Sequence, residues 1–206
     1  MDVFQARADQ ARLGMWQPID LGYEELPGLS RALLSAHYDL YLGYISRLNK
    51  IWSERMNRSF EDPFEYGRLA SEEGFLRNAV RLHELYFENL TPGGAGDPFD
   101  VIGDDETVDR WESNVRLLAL SSSGWVIHAD DLPSGHRFLF TMKEHGQGFI
   151  AQAWPLVVID CYEHAYAIDY GTSKEDYIEA VLENIDWNVA AERGALAAEF
   201  ASDGLR

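Results

Sequence analysis

Six histidines, a surplus of acids and a single cysteine are the groups in this 206-residue chain that could bind a metal or move a proton. His37 and His83 each lie within a stretch whose apolar residues recur at three- and four-residue spacing. One histidine on such a helix face is ordinarily a hydrogen-bonded core residue. Two of them, on the two arms of one hairpin and able to face each other, weaken that reading. The run PLVVIDCYEHAYAIDY ends an apolar strand in Asp160 and places His164 four residues later. A carboxylate at the end of a buried strand is poorly solvated unless it binds something. D-x-x-x-H alone is common by chance, but with His37 and His83 it completes a set of three imidazoles and one carboxylate. Nitrogen and oxygen ligands without thiolate suit iron, manganese or zinc rather than copper(I) or an iron–sulfur cluster. Cys161, alone, excludes a cysteine-built metal site and an internal disulfide, and it fits a reducing compartment.

These groups need elements to hold them. Leu33, Leu34, His37, Leu40, Tyr41, Tyr44, Ile45, Leu48 and Ile51 predict one long helix from Leu29 to about Arg55, with Ser30 as its N-cap. A break around residues 57–66 contains Pro63, and a second period runs from Phe75 to Phe87 until TPGGAGDP ends it. The first half is therefore an α-hairpin. A further helix is expected over Thr107–Leu120, then three strand-like runs, WVIHA, RFLFTM and PLVVID, and a last helical part from Tyr166 to Trp187. The fold class is α+β. A long α-hairpin (25–93) precedes a C-terminal α/β domain (101–206) with a small three-stranded antiparallel sheet, and residues 1–24 form an N-terminal extension, a short helix or a loose arm.

Composition narrows the function. With 46% hydrophobic and 13% aromatic residues the chain has material for a core, so disorder is excluded as its main state. No apolar run approaches the roughly 20 residues of a membrane span. A net charge of −18 repels phosphate backbones and anionic lipid surfaces, so neither nucleic acid nor membrane is expected as a partner. The N-terminal segment MDVFQARADQARLGMWQPID lacks an apolar signal core, which points to the cytoplasm.

Asp160-Cys161-Tyr162-Glu163-His164-Ala165-Tyr166 resembles the D-x-W-E-H-A-Y signature of the iron/manganese superoxide dismutases. The segments DYIEAVLENIDWNVAAER (176–193), HELYFENLTP (83–92), Ser122-Ser123-Gly124-Trp125 and Leu26-Pro27-Gly28-Leu29-Ser30 with His37-Tyr38 extend the resemblance over about residues 25–195. It implies a single iron or manganese ion held by His37, His83, Asp160 and His164, and superoxide as the substrate, disproportionated to dioxygen and hydrogen peroxide. It also implies that His145, fifteen residues before Asp160, bonds the metal-bound solvent, the other donor position being vacated by Ala79. Lys174 corresponds to the cation that guides the substrate, and Glu163 to the glutamate that bonds a ligand histidine across a two-fold homodimer.

The chain departs from the family pattern at the entrance. Positions four and eight after the first ligand, histidine and tyrosine in the family, hold Tyr41 and Ile45, with Tyr44 one place early. Ala167 stands where the family has the tyrosine that crosses to the gateway histidine, and Phe87 and Tyr162 replace tryptophans. Tyr41 is the expected substitute, lining the entrance and donating to the solvent network, ahead of Tyr44. Two other functions stay open at this stage: a metal-binding relative with a structural or assembly role and weak or no activity, and a non-haem iron oxygenase.

Overall fold

The computed structural model describes residues 15–102 and 107–203, so the expectation of a helix or arm over residues 1–14 lies outside the described residues. Helix α1, Arg31–Asn57, starts where the Ser30 hydroxyl accepts the Leu33 N–H at 3.2 Å. Asp169 grips Ser30 in turn, through the backbone N–H at 2.7 Å and the hydroxyl at 2.6 Å. Helix α2, Pro63–Glu88, begins twelve residues before the periodic stretch that predicted it. Pro63 opens the helix rather than interrupting it, because its missing N–H falls where no intrahelical partner exists, and Asp62 caps the first turn. The two helices lie against each other along their apolar faces, with Leu33, Leu48, Leu76 and Val80 fully buried between them.

The second half contains α3 (Phe99–Ile102), α4 (Val108–Ser121), β1 (Trp125–Asp131), β2 (Arg137–Met142) and β3 (Ala153–Asp160). A 3₁₀ turn (Glu163–Ala165), α5 (Ala167–Tyr170), α6 (Lys174–Glu183) and α7 (Trp187–Asp203) follow. The last helical part expected from sequence is thus several pieces, and α7 extends well beyond Trp187. The sheet has the order β2–β1–β3, antiparallel throughout, which makes the fold α+β with the sheet that the sequence predicts. β1 pairs Trp125 with Asp160 at one end, and its register slips between His128 and Ala129, opposite Pro155, which has no N–H to give the ladder.

Two polar side chains pin the layers. Asn89, which caps α2, accepts the Val158 N–H at 2.8 Å and gives its amide to the Tyr86 carbonyl, tying the hairpin to β3. Arg193 of α7 donates to the Leu156 and Leu85 carbonyls at 2.8 and 3.0 Å. β3 is therefore clamped between α2 on one side and α7 on the other. Among the described residues no helix is long and apolar enough to cross a membrane.

Candidate metal centre

Four elements each deliver one group to a single point. His37 comes from the second turn of α1, His83 from the last turns of α2, Asp160 from the end of β3 and His164 from the 3₁₀ turn. Their ligand atoms lie within 4.8 Å of one another. The Asp160 Oδ2 is 3.1 Å from His37 Nε2, 3.1 Å from His164 Nε2 and 3.7 Å from His83 Nε2. His37, His83 and Asp160 are at most 1% exposed, while the His164 side chain is 28% exposed.

The protonation of this cluster argues for a cation. His83 Nδ1 lies 2.6 Å from the Ala79 carbonyl, which can only accept, so the proton sits on Nδ1 and the Nε2 lone pair points inward. That Nε2 is buried and has no hydrogen-bond partner. Burial pushes the His83 pKa down to about 3 and lowers that of His37. Burial alone would raise the Asp160 carboxyl, but the His164 and His37 imidazoles against it outweigh burial and hold it well below the usual carboxylate range. Three imidazole Nε2 atoms facing one ionised carboxylate, one of them left bare, fit a divalent or trivalent metal ion.

Asp160 is held from behind. Its Oδ1 accepts the Tyr162 N–H at 2.8 Å, and its carbonyl accepts the Tyr177 hydroxyl at 2.7 Å. Gly124 brings β1 close: a Cβ there would sit 2.1 Å from the Met142 carbonyl, so only glycine lets the strand start at that point. Trp125 follows at once, 5.0 Å ring to ring from His83.

His145 lies in the loop after β2, 2% exposed and 5.7 Å ring to ring from His83. The Trp125 Nε1–H donates to His145 Nδ1 at 2.9 Å, which makes Nδ1 an acceptor and places the ring proton on Nε2. Burial lowers the His145 pKa to about 4. Asn78 holds its loop by donating to the His145 carbonyl at 2.7 Å. Sequence reasoning overlooked Asn78.

The two tyrosines of α1 differ from expectation. Tyr41 is fully buried, and its hydroxyl donates to Glu84 Oε1 at 3.1 Å while accepting the Ile19 N–H at 3.0 Å. Its ring stacks on His83 at 6.3 Å, so it packs behind a ligand and its hydroxyl is already spent. Tyr44 is the tyrosine that meets His145: its hydroxyl stands 3.4 Å from Nε2, half-buried. The reason is helical. In an unbroken α-helix seven residues turn about 700°, which returns Tyr44 to within about 20° of His37. The missing residue that made Tyr44 look misplaced is what brings it onto the ligand face. Glu84, buried at 1% exposure and also paired with Arg81, was not singled out from sequence.

Lys174 opens α6, donating to the Ser122 carbonyl with its ammonium 5.8 Å from the centre of the Tyr166 ring. Glu163 is exposed on the 3₁₀ turn beside His164. Ala167 follows, also exposed.

Residues 104–193 match the family described as iron/manganese superoxide dismutases, C-terminal domain. The chain is 34% identical over 183 residues to the iron superoxide dismutase of Aquifex pyrophilus, covering 82% of this chain and 86% of that one. The chain belongs to the iron/manganese superoxide dismutase family. An Aquifex aeolicus relative, also named as an iron enzyme, is 34% identical over 191 residues, with 86% of this chain and 90% of that one covered. A Haloarcula marismortui relative named as a manganese enzyme is 29% identical over 185 residues, covering 85% of this chain and 90% of that one. The family uses iron or manganese, and the cluster of His37, His83, Asp160 and His164 is suited to one such ion.

Proposed function

We propose that the protein is a superoxide dismutase, with His37, His83, Asp160 and His164 as the ligands of one iron or manganese ion. The observation that carries this reading is the bare, inward-facing Nε2 of His83 beside the Asp160 carboxylate, with the His145–Tyr44 pair next to it. The ion, when bound, supplies the one-electron exchange that oxidises one superoxide to dioxygen and reduces a second. Reduction of the second superoxide also needs two protons, and the chain's own groups manage them.

His145 is neutral at physiological pH and keeps its proton on Nε2, because Trp125 occupies Nδ1. Tyr44 keeps its hydroxyl proton as well, since burial and the nearby Asp160 charge raise its pKa. His145 Nε2–H donates to the Tyr44 oxygen, so the half-exposed Tyr44 hydroxyl proton is the one the pair can pass on. Tyr41 serves by packing on His83 rather than by donating. Lys174 contributes local positive charge against a net −18 that would otherwise repel an anion. Glu163 and the partly exposed edge of His164 are the surface that a second copy covers in a homodimer, and the cytoplasm is the expected compartment.

The test is to load the protein separately with iron and with manganese, count ions per chain, and measure superoxide loss. One of the two forms, at one ion per chain, is expected to dismutate superoxide well above the spontaneous rate. Stoichiometric metal with no activity in either form would leave a binding protein of structural role.

A further inference from the structure

The face of the sheet turned away from the metal ligands holds a second buried histidine. Side chains alternate along β1, so Trp125 and Ile127 share one face while His128 and Asp130 share the other. Beyond that second face, between β2 and α7, lies a cavity of about 590 Å³, within the size range of small-molecule sites. Its floor carries His128, Asp130 and Arg137; the facing wall is α7, where Gly194, Ala197 and Ala198 keep the space open.

His128 is 3% exposed, and its Nδ1 has no hydrogen-bond partner. Its aromatic neighbour Trp111, 5.8 Å away ring to ring, has an unpartnered Nε1 of its own, so neither relieves the other. Arg137 is nearly spent: Nε donates to Asp130 Oδ1 at 3.0 Å and Nη1 to the Val101 carbonyl at 2.6 Å. Its Nη2 makes no hydrogen bond to a described residue, nor does Asp130 Oδ2. Both atoms border Gly194, where a Cβ would lie 3.6 Å from Nη2 and 3.8 Å from Oδ2. The cavity therefore offers a donor and an acceptor side by side, next to the His128 imidazole.

Charge selects the ligand. Arg137 and Asp130 neutralise each other, and burial together with the Arg137 charge pushes the His128 pKa down to about 4, so the imidazole is neutral. A carboxylate would gain Nη2 but meet the bare Oδ2; a cation would meet the reverse. An uncharged group with a carbonyl and an N–H on one edge satisfies both. We propose that this cavity is a second binding site, distinct from the metal centre, for a small uncharged molecule with a planar apolar body and an amide or lactam edge. Arg137 Nη2 and Asp130 Oδ2 take the edge, His128 supplies a third polar contact, and the alanines of α7 cover the body.

Benzamide, benzoate and benzamidine share one ring and differ in charge, which makes them the probes, titrated calorimetrically into the metal-loaded full chain. Benzamide is expected to bind at least about tenfold more tightly than either charged relative. His128→Phe keeps a ring of similar size and removes both nitrogens. It should abolish benzamide binding while raising the melting temperature and leaving metal content and superoxide turnover unchanged. Ala198→Trp, which fills the cavity from the exposed side of α7 without touching the floor, should abolish binding as well and keeps the test available if His128→Phe does not fold. The proposal is overturned by equal or tighter binding of benzoate or benzamidine, by no binding of benzamide up to about 10 mM, the Kd that about 0.3 kcal/mol for each heavy atom gives, or by either variant retaining benzamide binding.

Discussion

The two faces of the central strand β1 each carry a tryptophan beside a buried neutral histidine, and they treat the pair in opposite ways. Toward the hairpin, Trp125 Nε1 donates to His145 Nδ1 at 2.9 Å, and the free end of the imidazole is aimed at Tyr44 and the metal ligands. Away from it, Trp111 and His128 lie 5.8 Å apart ring to ring and leave one buried nitrogen each unpaired, and His128 also lines an open cavity. The difference lies in preorganisation. On the first face both nitrogens of His145 have a partner, Trp125 and Tyr44, that fixes its proton, as a site that must hold and release protons requires. On the second face stability is given up, since an unpaired buried polar atom costs about 1–3 kcal/mol.

The comparison breaks most plainly at the ligands. Asp160→Ala removes the anion on which three imidazoles converge, and the protein is expected to lose its metal on dialysis and at least about 100-fold of its dismutation rate. Metal analysis and the superoxide assay check both. Trp125→Phe is the next largest effect. It frees His145 Nδ1, lets the ring proton change nitrogen, and should lower turnover about tenfold with metal content kept. If turnover is unchanged, the contrast between a fixed and an unfixed histidine carries no functional weight.

Smaller effects separate the two tyrosines. Tyr44→Phe should lower turnover several-fold at pH 7 with unchanged metal content, because the hydroxyl beside His145 is gone. Tyr41→Phe should leave turnover near its starting value but lower the melting temperature by a few degrees. Glu84 and the Ile19 N–H lose a buried partner, a cost of about 1–3 kcal/mol. The reverse pattern would return the entrance to Tyr41.

Much of this was legible in the chain. Asp160, His164, His37 and His83 announce themselves because ligands must be particular residue types at spacings that helices and strands dictate, and the hairpin and sheet follow from apolar periodicity. Pro63 was misread as a break because a proline at N1 and one in mid-helix look alike until the N-cap is recognised, and Asp62 was that signal. The surroundings of Tyr41 were illegible for a different reason. Its fate depends on Ile19, from a segment with no periodicity of its own, reaching across to α1, and on Glu84 in α2. Such contacts arise only from tertiary placement. The offset of Tyr44, by contrast, could have been read correctly from helical geometry alone.

The gentlest test is pH. His37, His83, His128 and His145 are all held below the ordinary imidazole value, in each case chiefly by burial. The unfolded chain takes up protons near pH 6.5 that the folded chain refuses. The stability these groups contribute is therefore fully present above about pH 6.5 and is lost as pH falls below it, through about 4 for His128 and His145 and about 3 for His83, with a slope of at most about 1.4 kcal/mol per pH unit for each histidine. Urea unfolding of the metal-free protein at several pH values should show that fall. His128→Phe should make it shallower, since one of the four groups is gone.

Anomalous diffraction at the iron and manganese absorption edges, from crystals of the metal-loaded protein, tests the central claim most directly. The account predicts one strong peak per chain, enclosed by His37, His83, Asp160 and His164, with His145 and Tyr44 nearby and no peak in the cavity beside His128. A peak that leaves out His37 or His83, or one that lies elsewhere in the chain, would contradict it.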